Sequence, residues 1–253
     1  MTAVLCYHRI GGPLELGVTR VARSVFRRQM TALAEAGWRS VTLAEYAKDT
    51  APRTFLISFD DGYASLADFA YPLLADLGLT ATTFLVTDFV GKTNTWDARY
   101  TWHRLPHLDW AAIEQWRSRG FDFASHTASH ARLTWLSEAA ATDELGRSRE
   151  TLQARLGAAK PAAVAYPFGA VDERVARFAR GAGYELGFGG VRGDPKDPLR
   201  QPRAPVYMWD VGSTPLGLRT GGVGAAGRFV AHVANRCAVG TSWMLKLRAD
   251  SPR

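Results

Sequence analysis

Thr54-Phe55-Leu56-Ile57-Ser58-Phe59-Asp60-Asp61-Gly62-Tyr63 is the stretch on which the fold turns. It opens with a nearly continuous apolar run rich in aromatic and branched side chains, as expected of a strand buried on both faces. The run stops abruptly at two carboxylates and a glycine, a residue that accepts the positive φ of a tight turn. Strands covered on both faces belong to parallel sheets flanked by helices, and such sheets build their sites at the strands' C-terminal ends. Asp60 and Asp61 are therefore expected on that rim.

Outward from this strand, short β-rich runs alternate with helical patterns. Ala3–Tyr7 reads as a first strand, and Val25–Ala36 as a helix stopped by Gly37. Downstream, a helix over Ser65–Leu77 closes at Gly78 and leads into a strand at Thr82–Val86. Asp88–His107 reads as a long irregular loop. A helix at Asp109–Arg119 then precedes strand Phe121–Ala124, and a helix at Glu138–Leu156 precedes strand Ala163–Tyr166. A helix at Asp172–Arg180 and strands at Tyr184–Phe188 and Ala204–Tyr207 complete the pattern, with Gly189–Pro205 mostly loop. The alternation predicts an α/β protein built of βα units. It weakens beyond Gly212, so residues 1–212 are expected to form the main domain and 213–253 an extension.

The chain has 253 residues, 47% hydrophobic and 22% charged, which suffices for one large domain and excludes a collagen-like or wholly disordered polypeptide. Cys6 and Cys237 are the two cysteines, too few for a multi-bridge framework or a zinc ribbon. No run of about 18 apolar residues is present, so a membrane-spanning helix is not expected. The opening MTAVLCYHRI lacks the basic start and apolar stretch of a secretory signal, giving an expectation of cytoplasmic location. The formal net charge is +7. Six basic side chains after Thr214, set against Asp250 alone, supply most of it. The remainder is close to neutral, which argues against a nucleic-acid groove. Arg228–Arg248 reads either as a helix covering the barrel bottom or as a basic amphipathic segment. In the second case residues 219–253 would touch an anionic membrane surface from the cytoplasmic side.

Polar groups recur at strand ends. Ser125-His126-Thr127-Ala128-Ser129-His130 follows Phe121–Ala124, Tyr166-Pro167-Phe168-Gly169 follows the Ala163 strand, and His8 ends the first strand. Any one of these alone would be a turn or a solvent-facing pair. Together they place imidazoles and carboxylates on one rim, and two imidazoles with one carboxylate form a common open metal set.

These motifs, in this order over about residues 1–210, resemble those of the polysaccharide deacetylase family, carbohydrate esterase family four. The Tyr7-His8-Arg9 opening resembles a subset of that family. The resemblance implies a distorted (β/α) barrel of about seven strands. It implies a divalent metal, zinc first, with cobalt, nickel or manganese as alternatives, held by Asp61, His126 and His130. Asp60 would act as general base, and the backbone N–H of Phe168 would stabilise the developing oxyanion. The implied reaction is removal of an N-acetyl group from an amino sugar or glycan, intracellular if the cytoplasmic expectation holds and lipid-linked if residues 219–253 meet the membrane. The same machinery could serve an amidohydrolase or deformylase acting on a small metabolite. A non-catalytic carbohydrate-binding domain is a further alternative.

Two departures from the family pattern matter. The position of its usual arginine, before the aromatic of the third motif, is Ala165; Arg203 is the candidate replacement. The late Leu-x-Leu-His motif that supplies the general acid is missing, and His232 sits in an apolar helical context. Leu5-Cys6-Tyr7-His8 repeats the pattern at the other end of the chain, so His8 is the candidate acid. Tyr63, Tyr166, Pro167, Arg203 and Trp209 are candidate substrate contacts, and Trp96, Trp102, His103 and His107 candidate cleft walls.

Overall fold

The computed structural model describes residues 2–12, 18–48, 52–95, 104–159 and 161–218. Trp96, Trp102, His103 and the basic extension 219–253 lie outside the described residues.

In chain order the strands are β1 (Ala3–Tyr7), β2 (Arg9–Ile10), β3 (Arg20–Val21), β4 (Arg39–Ser40), β5 (Thr54–Phe59), β6 (Thr82–Leu85), β7 (Asp122–Ser125), β8 (Ala163–Ala165), β9 (Leu186–Phe188) and β10 (Ala204–Pro205). The helices are α1 (Arg23–Glu35), α2 (Leu43–Tyr46), α3 (Tyr71–Asp76), α4 (Trp110–Arg117), α5 (Glu138–Leu156) and α6 (Glu173–Gly181). Seven strands follow one another in the order β10-β1-β5-β6-β7-β8-β9, every pair parallel, with β4 added beside β5. The result is a curled, mostly parallel sheet wrapped by helices, a distorted (β/α) barrel.

Side-chain alternation sorts β5 between two cores. Phe55, Ile57 and Phe59 join the outer cluster with Phe26 and Met30 of α1 and Tyr71 of α3. Leu56 joins the barrel interior with Phe84, Ala124, Ala165 and Phe188. The same alternation aims Ser58 and Asp60 inward. Register completes the placement: Tyr7 pairs with Phe59, so His8 and Asp60 come level at the C-terminal rim.

The seam between β9 and β10 is closed by a non-strand segment. Gly187 N–H donates to the Pro198 carbonyl at 2.8 Å, Gln201 N–H to Gly187 at 2.8 Å and Gly189 N–H to Gln201 at 2.9 Å. This segment runs on into β10, which pairs with β1. Beyond the expected boundary at residue 212 the chain still packs on the barrel, with Leu218 against the outer core.

Several boundaries differ from the sequence reading. The Ser65–Leu77 helix splits into a wider turn, Leu66–Ala70, followed by α3. Tyr71 N–H reaches five residues back to Leu66, and Pro72 follows with no N–H to give. Phe121 N–H caps α4 through the Trp116 carbonyl, so β7 starts one residue later and ends at Ser125. The Asp88–His107 loop is stitched to the β5 turn by an antiparallel bridge between Tyr63 and His107.

Candidate active site

The turn after β5 carries two carboxylates in unlike surroundings. Asp60 N–H continues the ladder to the Tyr7 carbonyl at 2.9 Å. Its carboxylate receives both arms of the Arg203 guanidinium, Nη1 to Oδ1 at 2.6 Å and Nη2 to Oδ2 at 2.8 Å. Arg203 is itself fixed, donating from Nε to the Gly189 carbonyl at 3.0 Å, with its guanidinium 5.6 Å from the Phe84 ring centre. A two-point pair of this kind sets both the charge and the orientation of the carboxylate. Burial would raise the Asp60 carboxyl, but Arg203, His126 and His8 outweigh it and hold the group well below the usual carboxylate range. The thiol of Cys6 also donates to Oδ2, at 3.5 Å, and burial pushes that thiol far up.

Asp61 adopts φ +70° and Gly62 φ +71°, a backbone that favours glycine at 62, where a Cβ would also press to 2.6 Å of Leu85 Cδ2. Left-handed backbone at a non-glycine residue is costly and persists only where its surroundings enforce it. Thr127, His130 and Phe168 share this feature, with φ between 61° and 68°. Four of the five such non-glycine residues among those described therefore sit in the three rim turns.

The turn after β7 is held from behind by α5. His126 N–H bonds the Leu85 carbonyl at 2.8 Å, and its Nδ1 lies 2.7 Å from the Ala165 carbonyl. A carbonyl only accepts, so Nδ1 carries the proton and Nε2 presents a lone pair. Thr127 Oγ1 accepts from His130 N–H, and Ser125 Oγ accepts from Thr127 N–H, both at 3.1 Å. Glu144 accepts from Ser129 N–H at 2.9 Å and from its hydroxyl at 2.6 Å, while Ser148 bonds Ser125 at 2.7 Å. Glu144 and Ser148 were missed in the sequence reading. Their signal was polar side chains at α5 positions that share the buried stripe of Ala141 and Leu145.

These turns converge. Asp61 Oδ1 lies 3.6 Å from His126 Nε2 and 3.5 Å from His130 Nε2. Ligand atoms bound at about 2.1 Å around a tetrahedral ion stand about 3.4 Å apart, so the donor set fits a small divalent cation with one position left open. Burial lowers the pKa of both imidazoles, which favours the neutral, ligating form. Phe168 packs its ring on His130 with centroids 4.9 Å apart. His8 approaches Asp60 as well, Nε2 to Oδ2 3.9 Å, and burial pulls its pKa from 6.5 to about 4.

Some expected substrate contacts are placed elsewhere. Tyr166 is fully buried and donates to the Leu199 carbonyl at 2.9 Å, so it is a core group and not a cleft residue. Pro167 is buried beneath its turn. Tyr63 is buried and accepts from Asn94 Nδ2 at 3.1 Å. His107 is buried as well, its Nδ1 2.8 Å from the Asp61 carbonyl, which removes it from a cleft wall. Arg203 is enclosed by its bonds to Asp60 and Gly189, a partner of Asp60 in place of a substrate contact. Trp209, four residues past the end of β10, is exposed, with its ring against Tyr207 at 4.9 Å.

Comparison with known proteins agrees with this architecture. The chain superposes on the Streptococcus pyogenes deacetylase PplD, solved in complex with acetate, with a TM-score of 0.72, covering 86% of this chain and 96% of that one at 20% identity, a likeness of fold. By sequence it is 26% identical over 190 residues to YxkH of Bacillus subtilis, covering 73% of this chain and 62% of that protein. It is 25% identical over 193 residues to the poly-beta-1,6-N-acetyl-D-glucosamine N-deacetylase of Staphylococcus epidermidis, covering 71% and 64% respectively. The chain thus matches somewhat under two thirds of the length of these relatives. Residues 47–187, more than half of the chain, match the family model described as polysaccharide deacetylase, and the chain belongs to that family.

Proposed function

We propose that the protein is a metal-dependent hydrolase that removes N-acetyl groups from a glycan built of N-acetylated amino sugars. The convergence of Asp61, His126 and His130 beside a separate, arginine-held carboxylate carries this reading. A divalent cation bound there, zinc being the first choice, supplies Lewis acidity toward the amide carbonyl and lowers the pKa of water.

The chain's own residues divide the remaining work. Asp60, fixed by Arg203, faces the attacking water and accepts its proton. A carboxylate so strongly stabilised is a weak resting place for a proton, and His8 Nε2 lies 3.9 Å from it. His8 is neutral at pH 7 with its pKa near 4, so it begins the cycle able to receive a proton and then pass it to the departing nitrogen. The C–N bond breaks, the sugar leaves as free amine and the acyl group as acetate. The backbone N–H of Phe168, in a turn held at φ +61°, is assigned to the developing oxyanion, a type of contact worth about 3 kcal/mol.

The test is acetate release from oligomers of β-1,6-linked and β-1,4-linked N-acetylglucosamine. The expected result is turnover that a chelator abolishes and zinc restores, with His8→Ala losing about 10²–10⁴ in kcat while retaining metal. Protein that holds zinc yet releases no acetate from either series would overturn the proposal.

A further inference from the structure

The Asp61 turn is shaped from outside by the loop that follows β6, and one side chain of that loop reaches its backbone. Leu108 N–H donates to the Gly62 carbonyl at 2.8 Å, and Ala64 N–H donates to the Pro106 carbonyl at 2.9 Å. Between these two bonds His107 turns its ring inward, placing Nδ1 2.8 Å from the Asp61 carbonyl. The ring packs 5.2 Å from the Tyr63 ring and 5.9 Å from the Phe89 ring by centroids, tilted to both. The His107 backbone is tied separately, its N–H to the Lys92 carbonyl at 2.9 Å.

This contact acts on a conformation that needs support. Asp61 is buried and left-handed, so its carbonyl is turned away from the β5 ladder. A buried carbonyl without a donor costs about 1–3 kcal/mol. Supplying that donor favours the left-handed turn over the extended alternative. The turn in turn aims Oδ1 at His126 and His130. Because a carbonyl can only accept, the contact also fixes the proton on Nδ1 of His107.

We propose that His107 is a positioning residue for the cation site: it holds Asp61 in the conformation that presents Oδ1, and so sets metal affinity without touching the metal. This rests on the proposed function only in taking Asp61, His126 and His130 as ligands. Groups that orient metal ligands in this manner typically contribute about 10–100-fold in metal affinity.

The experiment measures zinc affinity of the full chain by competition with a chromogenic chelator, apart from any turnover. His107→Phe keeps a ring against Tyr63 and Phe89 and deletes the donor; affinity is expected to fall about 10–100-fold. His107→Asn puts an amide nitrogen close to the position of Nδ1 and is expected to stay within about threefold of wild type. Phe-variant affinity equal to wild type overturns the proposal, as does an Asn variant weakened as much as the Phe variant. Zinc affinity that follows this pattern in protein inactive on every glycan would support the positioning role while removing the deacetylase reading.

Discussion

At the scale of single residues, the pairing of Asp60 with Arg203 is the chain's own answer to Ala165. The family pattern brings an arginine from the third motif, but here that strand end holds a fully buried alanine in the barrel interior. The guanidinium arrives instead from the closing segment, 143 residues after its partner. Lysine cannot reproduce two parallel N–H bonds. Arg203→Lys is therefore expected to lower kcat about 10²-fold with zinc affinity unchanged, since the contact is to Asp60 and not to Asp61. A kcat equal to wild type would remove Arg203 from the catalytic arrangement. His8 gives a pH prediction. Its pKa falls from 6.5 unfolded to about 4 folded, so between those values the unfolded chain binds the extra proton. The His8 contribution is thus intact above pH 6.5, is lost as pH drops toward 4, and stops changing below that. His126, His130 and His107 act in the same direction, and so does Asp60 at lower pH. Midpoints of thermal unfolding of chelated protein should therefore fall through this window, less steeply in His8→Gln. Parallel curves for the two proteins would contradict the burial argument for His8. The rim residues were legible in the sequence because they stand in the turns that follow strands, Asp60 and Asp61 after β5 and His126 with His130 after β7. The donor to the Asp61 carbonyl was not, because His107 comes from a loop 46 residues away with no periodicity to place it.

At the scale of elements, strands with unbroken apolar runs were read closely: β1 and β5 have the expected ends, as does α5 with its Ser137 cap. Two-residue strands such as β4 and β10 carry too little pattern to be bounded, since what defines them is the neighbour they pair with. Barrel closure was the least visible element, because it is made by a proline-rich segment whose hydrogen bonds depend on approach to β9. That approach is why residue 187 must lack a side chain. A Cβ there would meet the Leu199 carbonyl oxygen at 2.5 Å and also the Tyr166 hydroxyl. Both are fixed, the hydroxyl by its bond to that same carbonyl. Gly187→Ala should force the two segments apart, costing about 1–3 kcal/mol by overpacking and displacing the segment that carries Arg203. Denaturant unfolding and kcat are expected to fall together in this variant. Intact stability would mean that the seam yields without loss.

At the scale of the whole molecule, the candidate ligands come from the ends of two strands that are not neighbours, β5 and β7, with β6 between them. His126 is tied onward to β8 through the Ala165 carbonyl, and Arg203 ties the Asp60 side of the same turn to the closing segment. A cation shared by Asp61, His126 and His130 would cross-link the barrel rim in the folded state and have no comparable site in the unfolded chain. Binding to the native state alone stabilises by about 2.7 kcal/mol when free ligand is a hundred times its dissociation constant. In a domain of this size each kcal/mol raises the unfolding midpoint by about 2–4 °C. Zinc at that excess should therefore raise the midpoint by roughly 5–10 °C over chelated protein. Asp61→Asn keeps the shape of the side chain but removes its charge, and should abolish most of the increase while leaving the chelated midpoint near wild type. His8→Ala should retain it, because His8 touches Asp60 and is not one of the three converging donors. An increase that survives in Asp61→Asn would place the cation elsewhere, and the assignment of this rim as a metal centre would fail with it.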